Sequence, residues 1–281
     1  VEDGCLVCPF HEWSVDAEGT NVAIPYADRP NRKARIESYP AQVRNRHLIF
    51  WYHPDPTVGP MWEIPDAVAD DAVECMRFTR QIKTVWQELA ENAVDLAHFV
   101  SVHGMSKMGE MGSIEIDGPL RVVRSKQSFQ TARGEFEGAI ESSSYGPGIG
   151  VVKFELMSTV TLVSASRPLE NGEIEVRQTL FHDAGDDLGA KIGTAFGAEV
   201  DRQFGQDIPI WENKRYQPSP ALAPNERPVT EFRRWAKQFY VASTVCSPTG
   251  SAVRACRRVA SPASIRSSTT CDSRSSAAKC W

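Results

Sequence analysis

The stretch ENAVDLAHFVSVHG, residues 91–104, combines the apolar spacing of a core helix with four side chains that can bind metals or protons. Apolar residues recur at i, i+3 and i+4 along this run, which predicts a helix that begins at Trp86 and buries one face. The positions that form this pattern are Leu89, Ala93, Leu96, Ala97 and Val100. The polar residues in the same run are Asn92, Asp95, His98 and His103.

The two histidines converge on one metal only if the helix ends between them. Five helical steps separate His98 from His103, so their side chains would point about 140° apart on a continuous helix, and Gly104 marks a plausible helix end. Asp95 is a helical neighbour of His98 and can fix its tautomer, with Asn92 one turn earlier on the same side. The alternative is a core helix with a hydrogen-bonded Asp–His pair and a loop histidine. The run lacks the H-E-x-x-H pattern of metalloproteases.

A carboxylate from elsewhere would complete a metal set. Two neutral imidazoles and one carboxylate form the facial set of non-haem Fe(II) sites. Asp207, in FGQDIPIWENKRY, is the best candidate, because an unpartnered Asp would be costly in so apolar a segment. The alternative is an ordinary helix N-cap. Residues 188–216 predict a helix, an interruption and a second helical turn with Pro209 in its first turn.

A second motif lies near the N-terminus, in CLVCPFHEW, residues 5–13. Cys8 and His11 stand three residues apart in a proline-containing loop. A Rieske [2Fe–2S] centre takes two cysteines on one iron and two histidines on the other, so this pair fits half of such a centre. Half of a zinc site would have the same spacing.

The remaining pattern predicts an α+β fold. Short β-type runs at 19–27, 34–45 and 46–54 are separated by turn residues. Residues 118–184 predict an antiparallel meander whose candidate strands are 120–130, 134–146, 151–168 and 173–182, with a hairpin at Asn171-Gly172. The domains predicted are a small β domain over 1–55 and a larger domain over 56–241, with a sheet flanked by helices.

Composition excludes some classes of function. The chain has 281 residues, of which 41% are hydrophobic and 24% charged, as in a soluble globular protein. It has no apolar run long enough for a membrane span and no visible signal peptide, so a cytoplasmic location is expected. The formal net charge of -5 argues against a nucleic-acid surface.

Residues 242–281 differ in composition from the rest. They contain no Leu, Phe, Tyr or Met and one acidic residue, Asp272. Such a segment buries too little apolar surface to offset the loss of chain entropy, so we expect a disordered and aberrant tail. The alternative is a genuine basic tail that binds an acidic partner.

Three segments together resemble a known family, the Rieske non-haem iron oxygenases. CPFHEW resembles the second half of the Rieske cluster motif, NAVDLAHFVSVHG resembles the N-x-x-D-x-x-H-x4-H iron motif, and QDIPIWENKRY is similar to the segment with the third iron ligand. The resemblance covers roughly residues 4–240. It implies that residues 1–55 are the C-terminal part of a Rieske [2Fe–2S] domain and that residues 56–241 form the catalytic non-haem iron domain. Within the family it is strongest to the oxygenase components of bacterial 3-ketosteroid 9α-hydroxylases.

The resemblance implies roles for these residues. His98, His103 and Asp207 would bind the mononuclear iron, while Cys8 and His11 would bind the [2Fe–2S] cluster. Asn92 and Asp95 are the candidate catalytic residues. Asp95 would connect an iron-ligand histidine to a cluster-ligand histidine of the neighbouring subunit, which implies a homotrimer.

The resemblance also implies the reaction and its partners. An NADH-dependent ferredoxin reductase would supply electrons, and the oxygenase would hydroxylate a 3-ketosteroid or similar apolar polycyclic substrate with O₂. Residues 112–120 and the meander would wall a hydrophobic pocket. The motif that supplies the other Cys and His of the cluster lies upstream of Cys8 in the family, so we expect an N-terminal truncation.

Three alternatives to this function stay open on the sequence. One is a Rieske oxygenase that acts on another apolar or aromatic substrate, or a demethylating one. Another is a non-catalytic metal-binding relative, and the last is a β-rich binding module with coincidental histidines.

Overall fold

The computed structural model of this chain describes residues 1–131 and 134–241. The predictions for the tail, 242–281, lie outside the described residues. The chain divides into two compact units, Val1–Val68 and Ala69–Trp281. The assignment of residues 1–55 to a Rieske domain and 56–241 to a catalytic domain stays a prediction. Within the described part of the chain, none of the helices is both long enough and apolar enough to span a membrane.

The N-terminal unit contains five short strands. Three form an antiparallel sheet and two form a hairpin; they are β1 Leu6–Val7, β2 Ser14–Val15, β3 Asn21–Ala23, β4 Ala41–Arg44 and β5 His47–Phe50. The strands are shorter than the sequence predicts. Asn45 and Arg46 join β4 to β5 with φ of 49° and 59°, and positive φ at both central residues suits the twist of a two-residue hairpin.

The C-terminal unit is built on a seven-stranded antiparallel sheet, and the predicted α+β class is confirmed. Strands β7 to β12 pair in chain order, and β6 pairs with the free edge of β12. The strands are β6 Val73–Ile82, β7 Glu110–Asp117, β8 Leu120–Thr131, β9 Gly134–Tyr145, β10 Ile149–Glu155, β11 Thr159–Pro168 and β12 Ile174–His182. The turn between β11 and β12 contains Gly172 with φ of 80°, where the sequence predicts a hairpin.

The single strand predicted over 151–168 is wrong, because β10 and β11 form a hairpin there. The turn is Leu156-Met157-Ser158, in which the Leu156 N–H donates to the Ser158 carbonyl. It contains no Gly, Pro, Asn or Asp, so the sequence offers no ordinary turn signal. Met157 is exposed in this turn, but its apolar side chain continues the sequence run that predicts one strand.

The single helix predicted from Trp86 is also wrong. Its residues form α1 Trp86–Glu91, a 3₁₀ turn Asn92–Val94 and α2 Ala97–Ser101. The chain leaves helical geometry at Asp95, with φ -100° and ψ 91°. The Asp95 side chain offsets this break, because its Oδ1 accepts the N–H groups of Ala97 and His98 at the start of α2.

A third correction concerns α3, Asp187–Asn213, which is continuous where the sequence predicts an interruption. Pro209 lies inside this helix and removes one backbone hydrogen bond. Burial of Phe204 and Trp211 in the core holds the helix on both sides of the proline. The last helix, α4 Arg227–Ala236, is followed by a 3₁₀ turn, Lys237–Phe239.

The helices cover one face of the sheet. Phe204 and Trp211 of α3 pack with Leu162 and Leu180 of the sheet in one apolar cluster. A second cluster joins α4 to β8 and includes Val123, Phe232 and Trp235. Gly193 lets α3 approach β6 closely, because a Cβ there would lie 2.8 Å from the Cys75 sulfur.

Candidate metal centre

Three predicted ligands meet on this scaffold: His98, His103 and Asp207. They lie on α2, on the turn after it and on α3 respectively. One ligand atom from each lies within 4.8 Å of the other two. The His103 Nε2 is 3.5 Å from the Asp207 Oδ1, and these side chains are 2% and 10% exposed. Because α2 ends at Ser101, His103 lies outside the helix that carries His98. The two side chains therefore need not point apart as they would on a continuous helix.

The hydrogen bonds on the outer side of the cluster fix both histidine tautomers. The His98 Nδ1 lies 2.5 Å from the Asp95 backbone carbonyl. The His103 Nδ1 lies 3.0 Å from the Gln206 side-chain oxygen. A carbonyl oxygen only accepts, so each Nδ1 carries the proton and each Nε2 keeps its lone pair. Both lone pairs are therefore available to a metal between the rings.

Asp207 is held by Asn92, whose amide donates to the Asp207 Oδ2 at 3.1 Å. Burial raises the pKa of Asp207, and the nearby charges of His103 and His98 oppose that rise. Burial also lowers the pKa of His98, against the pull of Asp207. Without a cation, each of these groups is thus shifted toward its neutral form.

This donor set fits an iron ion. The cluster presents two imidazole lone pairs and one carboxylate, a combination typical of non-haem Fe(II) sites with open positions.

Asp95 does not contact His98 in the way the sequence predicts. Its carboxylate Oδ2 is 3.9 Å from the His98 Nδ1, and the backbone carbonyl of Asp95 takes that proton instead. The Asp95 side chain is 42% exposed. The carboxylate thus caps α2 and keeps part of its surface available to another molecule.

A cavity of about 810 Å³ opens beside the cluster. Its volume lies in the range of small-molecule sites. The wall is largely aromatic and aliphatic, and the apolar residues that define it include Phe99, Phe129, Phe154, Leu162, Phe196 and Phe204. The meander strands line this cavity. Residues 112–120 do not, although the resemblance implies it, because β7 lies at the far edge of the sheet.

The N-terminal motif lies in the loop between β1 and β2. The Cys8 N–H donates to the Trp13 carbonyl, and the Glu12 N–H donates to the Cys8 carbonyl, so the loop is tight. The His11 ring packs on Phe10 and Tyr26. Among the described residues, no group of three or more potential metal ligands includes this pair.

Sequence reasoning missed Gln206, which orients His103. It directly precedes Asp207 on α3, and a glutamine on a helix gives no signal by itself. Only the fold brings α3 beside the turn that follows α2.

Solved structures share this fold. Dicamba monooxygenase bound to dicamba superposes with a TM-score of 0.67 at 14% identity, covering 85% of this chain and 80% of that one. A structure of the same enzyme with non-heme iron and dicamba gives a TM-score of 0.58 at 14% identity, covering 85% and 80%. Both likenesses show a shared fold, an antiparallel sheet covered by helices.

The chain belongs to the family described as 3-ketosteroid 9alpha-hydroxylase C-terminal domain, which matches residues 50–240. The 3-ketosteroid-9-alpha-monooxygenase oxygenase component of Rhodococcus rhodochrous is 27% identical, covering 86% of this chain and 69% of that protein. Cholesterol 7-desaturase of Caenorhabditis elegans is 29% identical, covering 87% and 64%. The chain thus spans about two thirds of the length of these relatives.

Proposed function

We propose that this chain is the oxygenase component of a Rieske-type monooxygenase that hydroxylates an apolar polycyclic substrate. The observation that carries the proposal is the convergence of His98, His103 and Asp207 within 4.8 Å beside the apolar cavity. Bound by this set, Fe(II) would supply activation of O₂ at its open coordination positions. The residues of the chain would hold the ion and keep water away from the substrate.

The hydrogen bonds behind the three ligands give each neighbouring residue a defined task. The Asp95 carbonyl and Gln206 hold the imidazole protons on the outer nitrogens, and Asn92 holds one carboxylate oxygen of Asp207. These contacts orient the ligands before the metal arrives, which is how outer partners tune a metal site.

The substrate proposed is a steroid, and the reaction proposed is 9α-hydroxylation of a 3-ketosteroid. The cavity volume of about 810 Å³ and its aromatic wall suit a rigid polycycle. The names of two relatives support the same class, since one is a 3-ketosteroid monooxygenase component and the other a cholesterol desaturase. Another aromatic or apolar substrate is the alternative.

Electrons are proposed to come from an NADH-dependent reductase through a [2Fe–2S] cluster bound in part by Cys8 and His11. The partly exposed Asp95 carboxylate beside His98 supports a role as the link to a cluster in a neighbouring subunit. A homotrimer and a cytoplasmic location complete the proposal.

A single-turnover experiment tests the function. The chain is loaded anaerobically with Fe(II), and its bound iron is counted. It then receives excess chemical reductant, ¹⁸O₂ and androst-4-ene-3,17-dione as the probe. The expected result is bound iron and a hydroxylated steroid that carries one ¹⁸O atom.

The outcomes separate the proposals. Iron binding without oxygen transfer to the steroid would contradict the substrate assignment, and a second probe, dicamba, then tests the aromatic alternative. No iron retention after anaerobic loading would contradict the metal centre and leave the non-catalytic relative as the better description.

A further inference from the structure

One row of the seven-stranded sheet is polar where it faces the cavity. It crosses five strands and consists of Gln178, Ser164, Gly150, Ser144 and Arg121, each directly paired with the next. Directly opposed residues in a sheet share a face. The first four of these residues line the cavity. We call this set the polar row.

The adjacent row is mostly apolar. Two residues further along the strands, Leu180, Leu162 and Val152 pair in the same order, and Leu162 and Val152 line the cavity. A polar stripe in such a wall is costly unless its groups find hydrogen-bond partners.

Gln178 lacks such a partner at one end of the row. The residue is 7% exposed, and its Oε1 has no hydrogen-bond partner among the described residues. A buried acceptor of this kind is destabilising by itself, because it has lost water without replacing it. The Oε1 is enclosed in this structure, and a turn of the Gln178 amide toward the cavity that this residue lines would let it accept a hydrogen bond from a ligand.

Arg121 gives the other end of the row a donor. It is fully buried, lies over the Phe232 ring and donates from Nη2 to the Ser144 hydroxyl oxygen at 3.4 Å. Because the Ser144 oxygen accepts from a cation, its own hydrogen is available to donate into the cavity. Gly150, between the two ends, has no side chain to obstruct a ligand lying on the row.

We propose that the polar row binds a hydroxyl or carbonyl oxygen on the ring system of an otherwise apolar ligand. Gln178 accepts from a hydroxyl, and Ser144 donates to a carbonyl. Gln178 and Ser144 are three strand spacings apart, about 14 Å, so each contacts a separate position on a ligand. This contact fixes which carbon of the small molecule faces His98, His103 and Asp207. The identity of the ligand as a polycycle rests on the proposed function.

Equilibrium dialysis with three matched probes tests this site. The probes are 5α-androstane, 5α-androstan-3β-ol and 5α-androstan-3-one, so they differ only in one oxygen. They are measured with the iron-loaded wild-type chain, Gln178→Leu, Ser144→Ala and a control, Thr161→Ala. Thr161 is on β11 beside the row but on the opposite face of the sheet, because it lies three residues from Ser164.

We expect the wild-type chain to bind both oxygenated probes at least about tenfold more tightly than androstane, the cost of an unmade buried hydrogen bond. Gln178→Leu should remove most of the gain in affinity of the alcohol over androstane. Ser144→Ala should remove most of the gain in affinity of the ketone over androstane. Androstane binding should not weaken in either variant. Gln178→Leu removes an unsatisfied group, so its folding should be retained, and its melting temperature checks this.

Three results would overturn the proposal. If both variants keep the preference for oxygenated probes, the oxygen binds elsewhere, while the steroid assignment stands. If the wild-type chain binds all three probes equally, the row does not recognise oxygen. If iron binds but none of the probes does, the chain does not bind steroids. Both the steroid assignment and the binding of a steroid by the polar row then fail.

Discussion

Asp207 is a buried carboxylate beside two imidazole nitrogens that carry no proton. Its pKa is raised by burial, and its only described side-chain donor is the Asn92 amide. Such a carboxylate is unfavourable in the apoprotein and favourable next to a cation. Function and stability therefore have opposite requirements at this residue.

The Asp207→Asn variant should separate these requirements. We expect iron content after anaerobic loading to fall below about a tenth of the wild-type value, because an amide replaces the anionic ligand. The melting temperature of the metal-free protein should stay equal or rise, because a neutral amide is cheaper to bury. Atomic absorption and thermal denaturation provide the two measurements.

Asp201→Asn is the matched control, since Asp201 lies on the same helix and pairs with Arg80 away from the cluster. It should keep full iron content. Equal iron in both variants would show that Asp207 is not a ligand.

Asn92 acts one step further from the metal. Its amide fixes one carboxylate oxygen of Asp207 at 3.1 Å. We expect Asn92→Ala to weaken iron affinity by about 10- to 100-fold without abolishing binding, as loss of an outer partner does. Competition with a chelator measures this, with Asn213→Ala as the control on the exposed end of α3. Unchanged affinity in Asn92→Ala would make the contact structural only.

At the scale of elements, one buried carboxylate ties three helices together. Glu91, at the end of α1, accepts two hydrogen bonds from Arg233 of α4, at 2.6 and 2.9 Å. Lys214, which caps α3, lies 3.4 Å from the same carboxylate. Burial alone would lower the pKa of Lys214, but Glu88 and Glu91 raise it. This network fixes the elements that carry Asn92 and Asp207.

Glu91→Ala should therefore destabilise the chain by about 3 kcal/mol, because it leaves the Arg233 cation buried without its carboxylate. Glu231→Ala removes the partner of the exposed Arg227 on α4 and should cost at most about 1 kcal/mol. Urea denaturation of both variants measures the difference. Similar losses in the two variants would mean that the buried network contributes no more than a surface pair.

The helical elements also indicate what the sequence could not predict. Periodicity located the apolar positions from Trp86 onward, but it could not place the break at Asp95, because the compensating hydrogen bonds involve backbone groups. It interpreted Pro209 as a helix start, since local rules exclude proline from a helix interior. Tertiary packing of Phe204 and Trp211 overrides that rule.

At the scale of the whole molecule, strand and helix patterning predicted the fold class, and the family resemblance predicted the convergence of His98, His103 and Asp207. The polar row and Gln206 could not be predicted. Ser144, Ser164 and Gln178 come from three separate strands and meet only through sheet register. Each is unremarkable in its own segment, so a contact that depends on long-range pairing leaves no local signal.

The two compact units differ in the metal chemistry that their residues support. In the C-terminal unit three ligands converge, whereas Cys8 and His11 provide two of the four ligands that a Rieske cluster needs. We therefore expect the purified chain, reconstituted anaerobically with iron and sulfide, to hold about one iron and no acid-labile sulfide. Its visible spectrum should lack the absorption of an iron–sulfur cluster.

The variants that remove each site make this count decisive. His103→Ala should abolish the bound iron, because it removes a ligand whose side chain is only 2% exposed. Cys8→Ala should leave the iron count unchanged, since the expected ion is not bound by the N-terminal unit. Acid-labile sulfide in the wild-type chain that disappears in Cys8→Ala would contradict this expectation. It would mean that ligands from a second molecule complete the cluster, so that electron delivery could be studied in this chain directly.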